Sequence, residues 1–109
     1  MTILPASGEA ADVGTDNQEV VVVGHCCESG DLMTPLPGQP ESLGTRPLRK
    51  ASIGDFCVID GAGAYCSSMS TKNYNSFPEA GELMLDADGK GRVIRKRQSL
   101  EQIFENEVA

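Results

Sequence analysis

The sequence has no tryptophan, a single histidine, and only two Tyr and three Phe among 109 residues. Any core must therefore be built mainly from Val, Ile, Leu, Met and Ala. No stretch of 18 or more apolar residues occurs, which excludes a helical membrane span. Basic residues are scarce, with nine Lys and Arg against sixteen Asp and Glu for a net charge of −7. That field repels polyphosphates and argues against DNA or RNA as partners. The opening residues, Met1 to Gly14, carry Glu9 and Asp12 but no Lys or Arg. They lack the basic start and apolar middle of a signal peptide, so a cytoplasmic protein is expected. The four cysteines, Cys26, Cys27, Cys57 and Cys66, contain no C-x-x-C pair. Two adjacent thiols do not readily ligate one metal, and with one histidine no zinc ligand set is assembled. Reduced thiols are expected in that compartment.

What is abundant is turn chemistry: twelve Gly and six Pro. Together with the small size, this points to a mainly β domain with long connections, and to a narrow margin of stability. Residues 1–18 are small and polar and read as a flexible start. Residues 19–109 read as one β-domain. Val20-Val21-Val22-Val23, four β-branched residues in a row, predict a strand buried on both faces. Leu32 to Arg49, with Pro35, Pro37, Pro40 and Pro47, predicts a long loop with room for short extended pieces. Phe56 to Ile59 predicts a second compact strand after the turn signal Gly54-Asp55. Gly61 to Pro78 is polar and nearly uncharged and predicts a loop of the kind that carries sites. Glu82 to Leu85 and Arg92 to Arg97 predict a hairpin turning at Asp88-Gly89. Ser99 and Gln102 form a capping-box pair ahead of one short helix, with Leu100, Ile103 and Phe104 on one face. The expected fold is mainly β, a small β-barrel or sandwich-like domain with one short C-terminal helix. Four or five strands scarcely close a barrel, so open edges are expected unless other polypeptide completes the sheet.

Three constellations could carry chemistry. Gly24-His25-Cys26-Cys27-Glu28-Ser29-Gly30-Asp31 follows a predicted strand and sets a thiol beside a carboxylate. A thiol can give a proton to a carbanion and a carboxylate can grip an ammonium. The same residues also suit an ordinary polar turn, with Glu28 and Ser29 capping backbone groups, Gly30 at positive φ and Asp31 opening the next loop. Asp60-Gly61-Ala62-Gly63-Ala64-Tyr65 also follows a strand, but without a third Gly or a following helix it is not a dinucleotide fingerprint. Its glycines could admit a phosphate, with the Tyr65 hydroxyl as donor, or form a plain turn. Ser67 to Ser76 is dense in hydroxyls and amides around Lys72, either a flexible loop or a ligand-lining wall. Arg92, Arg95, Lys96 and Arg97 are expected to pair with Glu101 and Glu105 or to face solvent.

In order and spacing, Cys27-Glu28-Ser29-Gly30-Asp31, Gly54-Asp55, Gly61-Ala62-Gly63-Ala64-Tyr65, Ser68-Met69-Ser70 and Asn73-Tyr74-Asn75 resemble the C-terminal end of diaminopimelate decarboxylases. These are pyridoxal-phosphate enzymes grouped with the ornithine and arginine decarboxylases. The resemblance runs from about Val20 to Val108. It implies the β-domain of such an enzyme, alanine racemase C-terminal-like, working on a small amino-acid substrate in a homodimer. It implies that Cys27 is the proton donor after carbon dioxide leaves. Glu28 would hold the distal ammonium of the substrate, and Tyr65 would contact the cofactor phosphate and line the substrate site. The Schiff-base lysine and phosphate loop of the family lie in a (β/α)₈ barrel that 109 residues cannot contain. The isolated chain is therefore expected to be inactive and to need a barrel from the same or a companion chain. The chain departs from the family pattern at Cys26, at an added residue near Lys72, and at Phe77. Two other readings stay open: a stand-alone, non-catalytic interaction domain, and a thiol redox or metal module built on Cys26–Cys27.

Overall fold

The computed structural model describes residues 1–8 and 16–108. They form eight short strands and one short helix: β1 (Thr2–Leu4), β2 (Asn17–Val20), β3 (Pro35–Leu36), β4 (Gln39–Leu43), β5 (Arg46–Arg49), β6 (Phe56–Val58), β7 (Glu82–Leu85), β8 (Gly91–Arg95) and α1 (Glu101–Phe104). The chain divides into two compact units, Met1–Cys66 and Ser67–Ala109. All pairing is antiparallel and two-stranded: β1 with β6, β2 with β5, β3 with β4, and β7 with β8. The expectation of a mainly β chain with one short helix holds. No barrel is closed among the described residues, because strands of two to five residues joined only in pairs do not wrap around an interior.

In the first unit, Ile3 of β1, Leu48 of β5 and Leu32 form the buried apolar core, and Thr34 is fully buried beside them. The polar start is not structureless at its beginning: Thr2, Ile3 and Leu4 pair with Val58, Cys57 and Phe56. Their β-branched and apolar character suits a strand that buries its middle residue. The link is reinforced by Asp55, whose carboxylate accepts the Ala6 N–H at 3.0 Å and the Ser52 N–H at 2.9 Å. Those hydrogen bonds, the Ser52 bond first, hold the Asp55 carboxyl below its ordinary range. The remainder of that start, residues 9–15, lies outside the described residues.

One further expectation changes. Strand β2 begins at Asn17 and ends at Val20, so most of the valine run lies beyond it. Val21 is 41% exposed and Val23 59% exposed, so the run is not buried on both faces. A β-branched run marks extended backbone, but burial needs a second layer, which this unit does not provide. The proline-rich stretch from Leu32 to Arg49 does hold short extended pieces, β3, β4 and β5. In a two-stranded ladder each strand has one free edge, where proline's missing N–H removes no ladder bond. Pro35, Pro40 and Pro47 all lie in such strands. Pro37-Gly38 makes the β3–β4 turn with Gly38 at φ +73, the left-handed backbone that glycine tolerates.

In the second unit the β7–β8 hairpin forms as expected. The Gly89 N–H donates to the Asp86 carbonyl and the Asp86 N–H to the Lys90 carbonyl, both at 2.9 Å. The return strand is Gly91–Arg95, which starts a residue earlier and stops two residues sooner than expected. The capping pair is reciprocal: the Gln102 N–H reaches Ser99 Oγ at 3.3 Å, and the Ser99 N–H reaches Gln102 Oε1 at 2.9 Å. The apolar face of α1 is largely uncovered, with only Ile103 half-buried while Leu100 and Phe104 are exposed. Arg95 does not pair with the helix. It bonds Glu79 at 3.1 Å, Glu82 at 3.5 Å, the Ala80 carbonyl at 3.1 Å and Ser67 Oγ at 3.0 Å. Arg92 pairs instead with Asp86 at 3.3 Å. These carboxylates lie nearer because the hairpin returns β8 beside β7 and the residues leading into it.

Candidate functional site

The Cys27–Glu28 pair sits on a loop whose stem is short and well held. The Met33 N–H donates to the Val22 carbonyl at 2.9 Å, and Val23 bridges Leu32 in antiparallel fashion. The Val22 N–H donates to Thr34 Oγ1 at 3.1 Å, a side-chain bond that substitutes for a missing strand partner. The Gly24 N–H then donates to the Asp31 carbonyl at 2.9 Å and closes the neck of an eight-residue loop. Within it the Asp31 N–H donates to the Glu28 carbonyl at 3.0 Å, and the Gly30 N–H donates to Glu28 Oε1, also at 3.0 Å. The Glu28 cap of the polar-turn reading is thus present, but Gly30 does not take the left-handed backbone expected of it, and the loop leaves Cys27 and Glu28 exposed at the surface.

Beside this loop lies a cleft of about 320 Å³, lined by Val23, Leu32 and Leu43 on its apolar side and by Cys26, Glu28, Asp31 and Glu41 on its polar side. Cys26 lines the cleft, whereas Cys27 is absent from its lining. Burial first, and the neighbouring Asp31 carboxylate second, push the Cys26 thiol up. The two adjacent cysteines are therefore unlike: Cys26 is half-buried and stays protonated, while Cys27 is exposed. The cleft's three carboxylates favour a cationic group and disfavour a phosphate. Glu41 joins this wall from β4, and was not among the residues expected at a site. Its only signal beforehand would have been the alternation along β4.

Tyr65 is placed on a separate turn. The Cys66 N–H reaches the Gly63 carbonyl at 3.3 Å, and the Gly63 N–H approaches Cys66 Sγ at 3.4 Å. Tyr65 lies at the centre of this turn with φ 72 and is 74% exposed. A bulky residue in left-handed backbone is strained and needs its surroundings to hold it there. Tyr65 does not line the cleft beside Glu28.

In the second unit the polar segment is ordered by its own network. Asn73 Nδ2 donates to Gln98 Oε1, and the Glu79 N–H reaches the same oxygen at 2.9 Å. Lys72, at or near the added residue, reaches Glu79 Oε1 at 2.9 Å. The Lys72 hydrogen bond first, and the Arg95 charge after it, hold the Glu79 carboxyl below its usual range. Asn73, Asn75 and Ser76 all have positive φ. Among the described residues no group of three or more His, Cys, Asp or Glu is arranged to hold a metal ion. No helix among them is long and apolar enough to cross a membrane.

No protein-family model matches the chain. It is 42% identical over 90 residues to the diaminopimelate decarboxylase of Escherichia coli K12, covering 83% of this chain and 20% of that protein. It is 37% identical over 108 residues to the diaminopimelate decarboxylase of Buchnera aphidicola subsp. Baizongia pistaciae, covering 99% of this chain and 25% of the relative. A crystal structure of a diaminopimelate decarboxylase superposes with a TM-score of 0.82 at 37% identity, over 96% of this chain and 24% of that one. The chain thus spans about a fifth to a quarter of the length of the curated relatives it matches.

Proposed function

This chain belongs, as a partial segment, to the diaminopimelate decarboxylase family, and from that premise we propose that it is the C-terminal β-domain of such an enzyme. The reaction is decarboxylation of meso-2,6-diaminopimelate to L-lysine in the cytoplasm. On this reading the segment is completed into a barrel or sandwich-like domain by polypeptide outside it, and it acts in a homodimer. The many exposed apolar side chains, among them Leu43, Ile53 and Phe56 in the first unit and Leu83, Leu85 and Val93 in the second, support a domain finished by other surfaces.

The family's cofactor is pyridoxal phosphate, and the residues described here do not make a site for it. Lys72 and Lys90 are paired with Glu79 and Asp88. Lys50 and Lys96 are exposed, and the cleft beside the loop carries carboxylates, which repel a phosphate. The cofactor would be held by the barrel, and the segment contributes side chains to the substrate. Glu28, with Oε1 engaged by the Gly30 N–H, has a second oxygen with which to accept an ammonium of the substrate. Cys27, exposed on the same loop, would deliver a proton to the substrate carbon that loses carbon dioxide. Tyr65 would donate its hydroxyl to the cofactor phosphate and line the substrate site.

The observation that carries this reading is the held loop itself: a thiol and a carboxylate in consecutive positions, exposed, on a neck closed by the Gly24–Asp31 hydrogen bond. The test is kinetic, in an enzyme that contains this segment and a barrel. Cys27→Ala is expected to lower kcat by roughly 10²-fold or more, the scale of general-acid catalysis, with KM little changed. Glu28→Gln is expected to raise KM for the substrate. A Cys27→Ala enzyme with full turnover would refute the assignment.

A further inference from the structure

The Asp31 carboxylate lies back across the neck of the loop. Its Oδ2 accepts the Cys26 backbone N–H at 2.8 Å. A methyl group on Gly24 would fall 2.0 Å from Asp31 Oδ1 and 2.1 Å from Oδ2, far inside contact distance. Gly24 does not lie in the left-handed region, so the position needs the space that glycine leaves and not its backbone freedom. The carboxylate fills that space. On the other side of Cys27, the Asp31 N–H donates to the Glu28 carbonyl at 3.0 Å. One residue therefore grips the chain on both flanks of Cys27, through its side chain at Cys26 and its backbone at Glu28.

We propose that Asp31 is the positioning residue of the Cys27–Glu28 pair, and that Gly24 is glycine in order to admit the Asp31 carboxylate. A charged acceptor on a backbone N–H makes a stronger hydrogen bond than a neutral one. It fixes the peptide that leads into Cys27 and so the direction in which the thiol leaves the loop. Cys26 is half-buried beside that carboxylate, and Cys27 is the exposed thiol of the pair. The consequence for turnover rests on the reading of Cys27 as proton donor, while the placement of the thiol does not.

The experiment uses the full 109-residue chain and follows alkylation of Cys27 by iodoacetamide, resolved from the other cysteines by mass. Four variants are compared with the parent: Asp31→Ala, Asp31→Asn, Gly24→Ala and the double variant Gly24→Ala/Asp31→Ala. Asp31→Ala is expected to change the Cys27 rate by about threefold or more, the scale on which contacting residues couple. Gly24→Ala is expected to change it in the same sense, because it expels the carboxylate without altering it. The double variant should be no worse than either single one. Asp31→Asn keeps an oxygen to accept the Cys26 N–H and should restore most of the parent rate, which a general loss of structure would not do. A change smaller than threefold in Asp31→Ala, a failure of Asp31→Asn to restore the rate, or multiplying effects in the double variant would each overturn the proposal. Should Gly24→Ala fail to fold, the two Asp31 variants decide it. Full turnover by a Cys27→Ala complete enzyme would sink the proton-donor reading and leave this result standing.

Discussion

Thr34 Oγ1 accepts the Val22 N–H at 3.1 Å, and Thr34 is the one fully buried side chain among the described residues. The Gly44 N–H reaches the Thr34 carbonyl at 2.8 Å, so Thr34 ties the stem of the Cys27 loop to the end of β4. Thr34→Val keeps the shape but leaves the Val22 N–H without its side-chain acceptor. A loss of about 1 kcal/mol is expected, the low end of the cost of an orphaned donor because the Val22 N–H is only part-buried. Urea unfolding with an unchanged m-value would check it.

The small apolar core makes a second prediction. Leu48 in β5 is 8% exposed and Ile3 in β1 is equally buried. Leu48→Ala should destabilise the first unit by about 2 kcal/mol or somewhat more, the low end for a buried leucine because a thin core relaxes around the gap. Leu43→Ala, at a site 67% exposed, should be close to neutral in this chain. Thermal unfolding of the two variants side by side tests the contrast.

The pH dependence follows from Asp55. Its folded value is depressed below the ordinary 3.8 by the Ser52 and Ala6 N–H groups. The unfolded chain thus binds its proton first as pH falls. The stabilisation is fully present above the ordinary value and is lost as pH drops through the lower, folded one. Acidification should release the link between Ala6 and the start of β6, seen as a lower protection factor of the Ala6 amide relative to its intrinsic rate at the same pH. Asp55→Ala should show that low protection already at neutral pH, with no further acid step at this site.

The two neighbouring thiols should part company in solution. Burial and the Asp31 carboxylate keep Cys26 protonated, whereas Cys27, Cys57 and Cys66 are exposed. At pH 8, Cys26 should be the last of the four cysteines to be alkylated, as read by peptide mass mapping.

Elements built from near neighbours were legible in the sequence. The Asp88-Gly89 turn and the Ser99–Gln102 cap are each complete within a few residues, so local chemistry determines them. The pairing of β1 with β6 and of β2 with β5 joins residues far apart in the chain, and no local pattern announces it. Prolines at 35, 40 and 47 hid the bounds and pairing of β3, β4 and β5 but not their existence as short extended pieces, because proline excludes a central strand but not the strands of two-stranded ladders. The valine run misled in another way: it reports a preference for extended backbone, whereas its burial depends on surfaces this unit does not supply. At the site, Cys27 and Glu28 were legible as a motif. The grip of Asp31 on Cys26 was not, because it depends on the empty side of Gly24, which only the folded loop brings near.

The most direct test of the functional account mixes this chain with the barrel of a diaminopimelate decarboxylase from which the matched segment has been removed, and measures carbon dioxide released from meso-diaminopimelate. The account predicts no release by this chain alone and release on mixing. It also predicts a fall of roughly 10²-fold or more when the chain carries Cys27→Ala. Turnover by the chain alone, or a mixed enzyme indifferent to Cys27→Ala, would contradict it.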